Sequence, residues 1–165
     1  MLMRYTARMM ELITDVELTF LFNLALSVAL GFAIGAEREA RGKDAGISTH
    51  SFVIGGAMLF TYMSMLAEPT APARIAAQIV SGIGFLGAGL ILKDGASVKN
   101  LTTAASIWFA GAIGMTIGFG YPIIAAAAAL ASLLIPRIPH LKKRRAVSER
   151  DEAEEEASSK RVVND

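Results

Sequence analysis

Charge is segregated along this chain, and that segregation limits what it can fold into. Between clusters of charged residues run five apolar stretches: Leu18 to Gly35, Thr49 to Leu66, Ile75 to Leu92, Leu101 to Ile117 and Tyr121 to Ile135. Roughly 20 helical residues cross a hydrocarbon core, with about 17 as the lower limit. The first four stretches reach that length and the fifth falls slightly short. The totals, 53% hydrophobic and 19% charged residues, depart only modestly from those of a soluble domain. Distribution, and not composition, therefore sets the class.

Within each stretch the apolar residues are continuous. A barrel strand would alternate apolar and polar side chains over about 10 residues, so helices are preferred. The pattern predicts an all-α polytopic bundle of about five membrane-spanning helices, multi-pass and in contact with lipid. Three segments follow: an extracytoplasmic N-terminus over 1–17, a helical transmembrane domain over 18–136, and a basic, then mixed-charge cytoplasmic tail over 137–165. No removable signal is read at the N-terminus, because Glu11, Asp15 and Glu17 intervene between Arg4, Arg8 and the first apolar run.

Orientation follows from the loops. With five spans, ten basic residues (Arg38, Arg41, Lys43, Lys93, Lys99, Arg137, Lys142, Lys143, Arg144 and Arg145) fall on one side, and only Arg4, Arg8 and Arg74 on the other. Positive charge marks the cytoplasmic side, so the N-terminus is expected outside and the C-terminus inside. The tail after Arg145 has too few large apolar side chains to offset chain entropy; it is expected to be disordered, with a transient helix near 149–157.

Several function classes drop out. A net charge of +1 provides no basic field for nucleic acid. The absence of cysteine removes disulfides and thiolate chemistry, and His50 and His140 alone make a poor zinc site, so neither metal nor cofactor is expected. No serine has a base partner at a recognisable spacing, so an enzyme is not expected either.

The segment SGIGFLGAG, Ser81 to Gly89, contains a formal GxGxxG in Gly82, Gly84 and Gly87. A dinucleotide fingerprint needs a strand before it, a helix opening at its third glycine and an acid roughly 20 residues on. Here the glycines lie inside an apolar run, and Asp94 comes too soon. They read instead as small residues for close helix packing. At about 100° per residue Gly82 and Gly89 share one face while Gly84 and Gly87 share the opposite one, which predicts that this third helix is central. Gly31 and Gly35 form a GxxxG in the first span; Gly111 and Gly114 thin the fourth.

Polar rows cross the same runs. Arg74, Gln78, Ser81 and Gly89 lie within a narrow arc of the third stretch; Asn23, Ser27 and Gly31 lead towards Arg38 in the first; Thr102, Ser106 and Thr116 mark the fourth. Such rows face protein or water, and two readings stay open: interhelical hydrogen bonds, or a solvated cavity or ligand site. Arg74 either snorkels to headgroups or pairs with Glu68 or Glu17. The loop holding Glu37 and Arg38 leads into Ser48 and Thr49 as N-caps of the second helix, and Lys93 stands in the neighbouring loop. Trp108, in mid-span and away from an interface, predicts a packing role.

Three segments, GAEREARGKDAGISTHSFVIGGAMLF, PARIAAQIVSGIGFLGAGLILKDG and VKNLTTAASIWFAGAIGMTIGFGY, resemble in order the MgtC/SapB membrane proteins of bacteria. The resemblance covers about Gly31 to Tyr121. It implies an inner-membrane protein linked to adaptation to low magnesium and, in some pathogens, to virulence through survival in host cells. It also implies a regulatory role exercised by binding a membrane partner such as the ATP synthase. The motif positions that carry over are Glu37, Arg38, Gly46, Thr49, Arg74, Gln78, Gly82, Gly84, Gly87, Gly89, Lys93, Thr103 and Trp108. Longer members add a folded cytoplasmic domain where this chain has its charged tail. Some members carry Asn at the position of Thr102 and Cys at that of Phe109.

The favoured expectation is a non-enzymatic membrane regulator that works through helix contacts, with a membrane protein as partner and self-association left open. An ion transporter, for Mg²⁺ or another ion, is the alternative. Mg²⁺ prefers carboxylate oxygens, and every acid near the spans is terminal or in a loop: Glu17, Glu37, Glu39, Asp44, Glu68 and Asp94.

Overall fold

A computed structural model describes residues 15–71, 73–94 and 97–138. Its helices are α1 (Asp15–Ala40), α2 (Ile47–Ala67), α3 (Ala73–Leu90), α4 (Leu101–Gly118) and α5 (Pro122–Leu134). Between α3 and α4, strands β1 (Leu92–Asp94) and β2 (Ser97–Lys99) pair antiparallel, with Lys93 opposite Val98. The expected all-α bundle is thus predominantly helical but carries this small hairpin. The apolar run that ends at Leu92 hid the change, because two residues of alternation are too few to register as a strand.

Among the described residues three helices, α1, α2 and α4, are by length and composition long and apolar enough to cross a membrane. The apolar part of α3 is shorter, Ala76–Leu90, and α5 has 13 residues, or about 20 Å at 1.5 Å per residue. Contacts divide the chain after Leu134. The second unit's described part is a single 3₁₀ turn, Ile135–Arg137, in which Ile138 N–H donates to Ile135 O. The N-terminal residues 1–14 and most of the charged tail, including the helix expected near 149–157, lie outside the described residues.

The ends of α1 follow from its sequence. Asp15 and Glu17 sit in its first turn and Arg38 in its last, matching the helix dipole. It stops where Gly42 takes φ +61° and its N–H donates to Glu39 O at 2.9 Å, while Lys43 N–H returns to Arg38 O at 3.0 Å. Only glycine adopts that backbone without cost.

Packing around α2 is backbone against backbone. A methyl group added at Gly31 would meet Ser51 N at 2.7 Å, and one added at Gly35 would run into Ile47. On the other side of α2, a methyl group at Gly114 would strike the Ile54 carbonyl and one at Gly118 would approach Met58 O to 2.8 Å. So α2 lies between α1 and α4, and the buried core of Ile34, Ile54, Met58, Ile113 and Ile117 fills that layer. Helix α5 closes one flank with Ala125 and Ala129. Helix α3 leans on α4 and α2 through Ala76, Ile79 and Ile83.

That placement corrects the expectation of a central third helix. Of its glycines, a methyl group at Gly87 would meet Ala104 O at 3.6 Å, whereas one at Gly82, Gly84 or Gly89 would meet nothing within 4 Å. Glycine spacing reports that a helix can be approached; it does not say whether anything within the same chain does so.

The outer faces of α1 and α5 carry large apolar side chains. Leu18, Leu21, Phe22, Val28 and Phe32 of α1 and Ile123, Ile124 and Leu130 of α5 point outward, while Asn23, Ser27, His50, Thr61 and Ser64 are buried. Large apolar side chains outside and small or polar ones between helices are the arrangement suited to a lipid solvent.

Candidate functional site

The charged turn after α1 folds back on the bundle through one residue. Arg38 is 6% exposed, and its guanidinium reaches three oxygens: Nε donates to Ala45 O at 3.1 Å, and Nη2 to Asp44 O and to Thr103 Oγ1, each at 2.8 Å. Neither described ion pair involves it; Glu37 takes Arg41 instead, at 3.2 Å. A buried cation held by carbonyls and a hydroxyl spreads its charge over dipoles, within the field of the Glu37 and Asp44 carboxylates. The grip is also structural, because Ala45 has φ +60°, a conformation that a residue with a Cβ adopts only when its surroundings hold it there. Arg38 thereby ties the end of α1, the strained turn before α2 and the first turn of α4 together.

The entry of α2 is capped from α1. Glu39 Oε1 accepts from Ile47 N–H at 2.8 Å, and its side chain occupies the space beside Gly46 that a methyl group would need. Gly46 is the N-cap and makes no side-chain bond, so Ser48 and Thr49 are not caps: Thr49 lies half-buried in the first turn. A carboxylate supplied from eight residues upstream satisfies the free N–H at the positive helix end, leaving the hydroxyls with no cap to make.

Next to this cap lies His50, fully buried, with Nδ1 3.1 Å from Gly46 O. A ring nitrogen facing a carbonyl must carry the hydrogen. Its Nε2, with Thr61 Oγ1, is a buried polar atom without a partner among the described residues. Sequence reasoning weighed His50 only as a metal ligand. The usable signal was its place four residues after a helix-opening glycine, within reach of that glycine's carbonyl.

The three polar rows separate in the structure. The α1 row is buried at the seam with α2, where Ser27 Oγ donates to Asn23 O at 2.8 Å. The α4 row is largely absorbed by its own helix: Ser106 Oγ donates to Thr103 O at 2.7 Å and Thr116 Oγ1 to Ala112 O at 2.8 Å, while Thr102 is exposed. The α3 row faces outward, with Gln78 and Ser81 exposed. At its head Arg74 pairs with Glu68 through Nε at 3.1 Å and through Nη2. Lys93 is exposed on β1.

Trp108 departs from the expected packing role. It is 50% exposed on the outward side of α4. Mid-helix position identified it as different from an interfacial anchor but could not identify its face. Arg38 and Thr103 are thus brought into contact, with the Glu37 carboxylate close enough to act on the Arg38 charge, whereas Thr49, Arg74, Gln78, Ser81, Lys93, Thr102 and Trp108 do not join them in one constellation.

A groove of about 490 Å³ lies between α2 and α3, lined by Phe52, Gly56, Phe60, Gln78, Gly82 and Leu86. All but Gln78 are apolar or glycine. Among the described residues no group of three or more His, Cys, Asp or Glu side chains could hold a metal ion.

Known proteins supply the remaining comparison. The chain is 48% identical over 101 residues to Protein MgtC of Salmonella typhimurium, a match covering 61% of this chain and 44% of that protein. It is 46% identical over 98 residues to Protein MgtC of Brucella abortus, covering 59% of this chain and 41% of the relative. A protein of Synechocystis described as uncharacterized is 46% identical over 101 residues, covering 61% and 43%. The chain therefore spans less than half the length of the curated relatives it matches. No solved structure matches. The sequence profile of the MgtC family matches residues 24–143, and the chain belongs to that family.

Proposed function

We propose that this chain is a non-enzymatic regulator in the bacterial inner membrane, tied to adaptation to low magnesium and acting by binding another membrane complex, with the ATP synthase as the expected partner. The observation that carries the reading is Trp108, a half-exposed indole in the middle of an apolar helix. Tryptophan, with its large rigid surface and single N–H donor, is the residue type that most often anchors a protein interface. In hydrocarbon away from the headgroups its N–H has no partner unless another protein supplies one. Supporting it, Arg38 and Glu39 are engaged in tying helix ends together, and Glu37, Glu39 and Glu68 stand at helix ends. Family membership and the relatives named MgtC support the magnesium setting.

The same reading has five spans, with α3 and α5 crossing as shorter helices, the N-terminus outside and the C-terminus in the cytoplasm, supported by the excess of basic residues on one side. A C-terminal reporter that is active only after export would reverse that orientation.

Affinity capture of the full chain from membranes grown in low and high magnesium tests the partner. A multisubunit membrane complex, the ATP synthase, should be recovered with the chain and be lost severalfold with Trp108→Ala. Recovery of nothing but the chain itself and lipid, at either magnesium level, would refute the regulator reading.

A further inference from the structure

The hairpin between α3 and α4 carries exposed apolar side chains among lysines. Leu92 is 56% exposed and Val98 53%, with Lys93 and Lys99 exposed beside them. The register pairs Leu92 with Lys99 and Val98 with Lys93. Directly opposed residues of an antiparallel pair project on one face, with Cβ atoms about 5 Å apart. Each face of the hairpin therefore sets one apolar side chain beside one lysine. In bulk water both apolar groups would be left uncovered; in hydrocarbon both ammonium groups would lose their solvation. Only the boundary between acyl chains and headgroups suits both members, since a lysine stem lies along apolar surface while its charge reaches outward.

Helix length places the hairpin at that boundary. Arg74 and Glu68 pair at the far end of α3, and the apolar part of the helix, Ala76–Leu90, is about 22 Å long at 1.5 Å per residue. A hydrocarbon core is about 30 Å thick. The helix thus ends before the core is crossed, and the exposed Ile91 and Leu92 that follow continue the lipid-facing surface instead of entering water.

Charge at this end selects the occupant. The Arg38–Thr103 bond ties the turn after α1 to the first turn of α4, which follows β2 directly, so Lys43 and Lys93 share one end of the bundle. Neither enters a described ion pair. The carboxylates of the turn have other tasks: Glu37 holds Arg41, Glu39 caps α2 and Asp44 acts on Arg38. Segment 91–101 adds two lysines against one acid, Asp94. Lysine is depleted in protein interfaces, whereas an anionic headgroup layer attracts each lysine held near it.

We propose that the β1–β2 hairpin is a lipid-binding element: Leu92 and Val98 enter the acyl boundary of the leaflet at this end, and Lys93, with Lys43 from the neighbouring turn, binds the phosphates of anionic lipids. The inference rests on α3 crossing the membrane; it does not depend on the partner complex or on which side of the membrane the hairpin faces.

The chain has no cysteine, so a fluorophore can be attached singly to Val98→Cys or to Phe85→Cys on α3. With the purified full-length chain in phosphatidylcholine vesicles, the label at position 85 should be quenched by nitroxides deep in the acyl layer and the label at position 98 by nitroxides near the headgroups. Exchanging half of the lipid for phosphatidylglycerol should lower acrylamide quenching at position 98 severalfold. Lys93→Gln should abolish that response with helical content unchanged, Lys43→Gln should weaken it, and Lys93→Arg should keep it. A label at position 98 open to acrylamide in both lipids, beside a label at position 85 in the acyl layer, would overturn the hairpin proposal and leave α3 spanning. A label at position 85 open to acrylamide would overturn both. An unchanged phosphatidylglycerol response in Lys93→Gln, or protection of position 98 in native membranes but not in pure lipid, would also overturn the proposal.

Discussion

Two sets of glycines in this bundle carry the same sequence signature and do opposite things. At Gly31 and Gly35 the backbone of α1 lies directly on that of α2, leaving no room for a methyl group; at Gly82, Gly84 and Gly89 the helix faces open space. The first set sets an internal seam and the second exposes a surface. In lipid, association gains little from burying apolar area, so close backbone approach and polar contacts do that work. A small-residue face can therefore be spent within the protomer or left for another molecule. Only the other side of the contact tells which.

The comparison breaks most visibly at Gly35. Gly35→Ala should destabilise the folded chain by about 3 kcal/mol, because the new methyl group must displace the backbone at Ile47 and not a movable side chain. Thermal unfolding in detergent, followed by loss of helical signal, measures it. A cost below about 1 kcal/mol would show that α1 and α2 slide apart cheaply, and the distinction between the two glycine sets would lose its basis.

The polar end of the seam gives the next effect. Arg38→Met keeps much of the apolar stem and removes three hydrogen bonds from a buried cation; a loss of about 2 kcal/mol is expected. Arg38→Lys should not restore it, since one ammonium cannot span Ala45, Asp44 and Thr103 with the geometry of a guanidinium. If the lysine variant matches wild type in the same unfolding assay, the clamp is a simple charge effect. Smaller again is Glu39→Ala, which uncovers the Ile47 N–H at the start of α2 and should cost about 1 kcal/mol, as lost helix caps do.

These residues also mark how far the sequence could be read. Charge segregation located the five described helices, since an apolar run long enough for lipid is a property of consecutive residues and needs no tertiary knowledge. The resemblance was equally legible, because its motifs are local. What escaped reading depended on which face of a helix meets which neighbour. Arg38 and Thr103 were singled out separately, yet nothing in two segments 65 positions apart joins them. The cap of α2 was assigned to Ser48 and Thr49 because hydroxyls near a helix start are the usual source, whereas Glu39 reaches in from the preceding helix. Trp108 and the α3 glycines failed in the same way. Periodicity gives the angle between residues of one helix and leaves the zero of that angle to the packing.

The smallest effect is the most discriminating, because it has the opposite sign. Gly84 sits in the middle of α3 with nothing within 4 Å of the place its Cβ would take. Gly84→Ala therefore adds no clash and removes backbone freedom from the unfolded chain, along with the poor helix propensity of glycine; a gain of roughly 0.5–1 kcal/mol is expected. The same one-carbon substitution at Gly35 subtracts stability, so the pair forms an internal control in which side-chain chemistry is constant and only the neighbour differs. Unfolding midpoints in detergent, measured at dilutions that hold the chain monomeric, separate the two. Should Gly84→Ala lose stability under those conditions, the outward side of α3 would be packed within a single protomer after all, and the division between seam and surface would have to be redrawn.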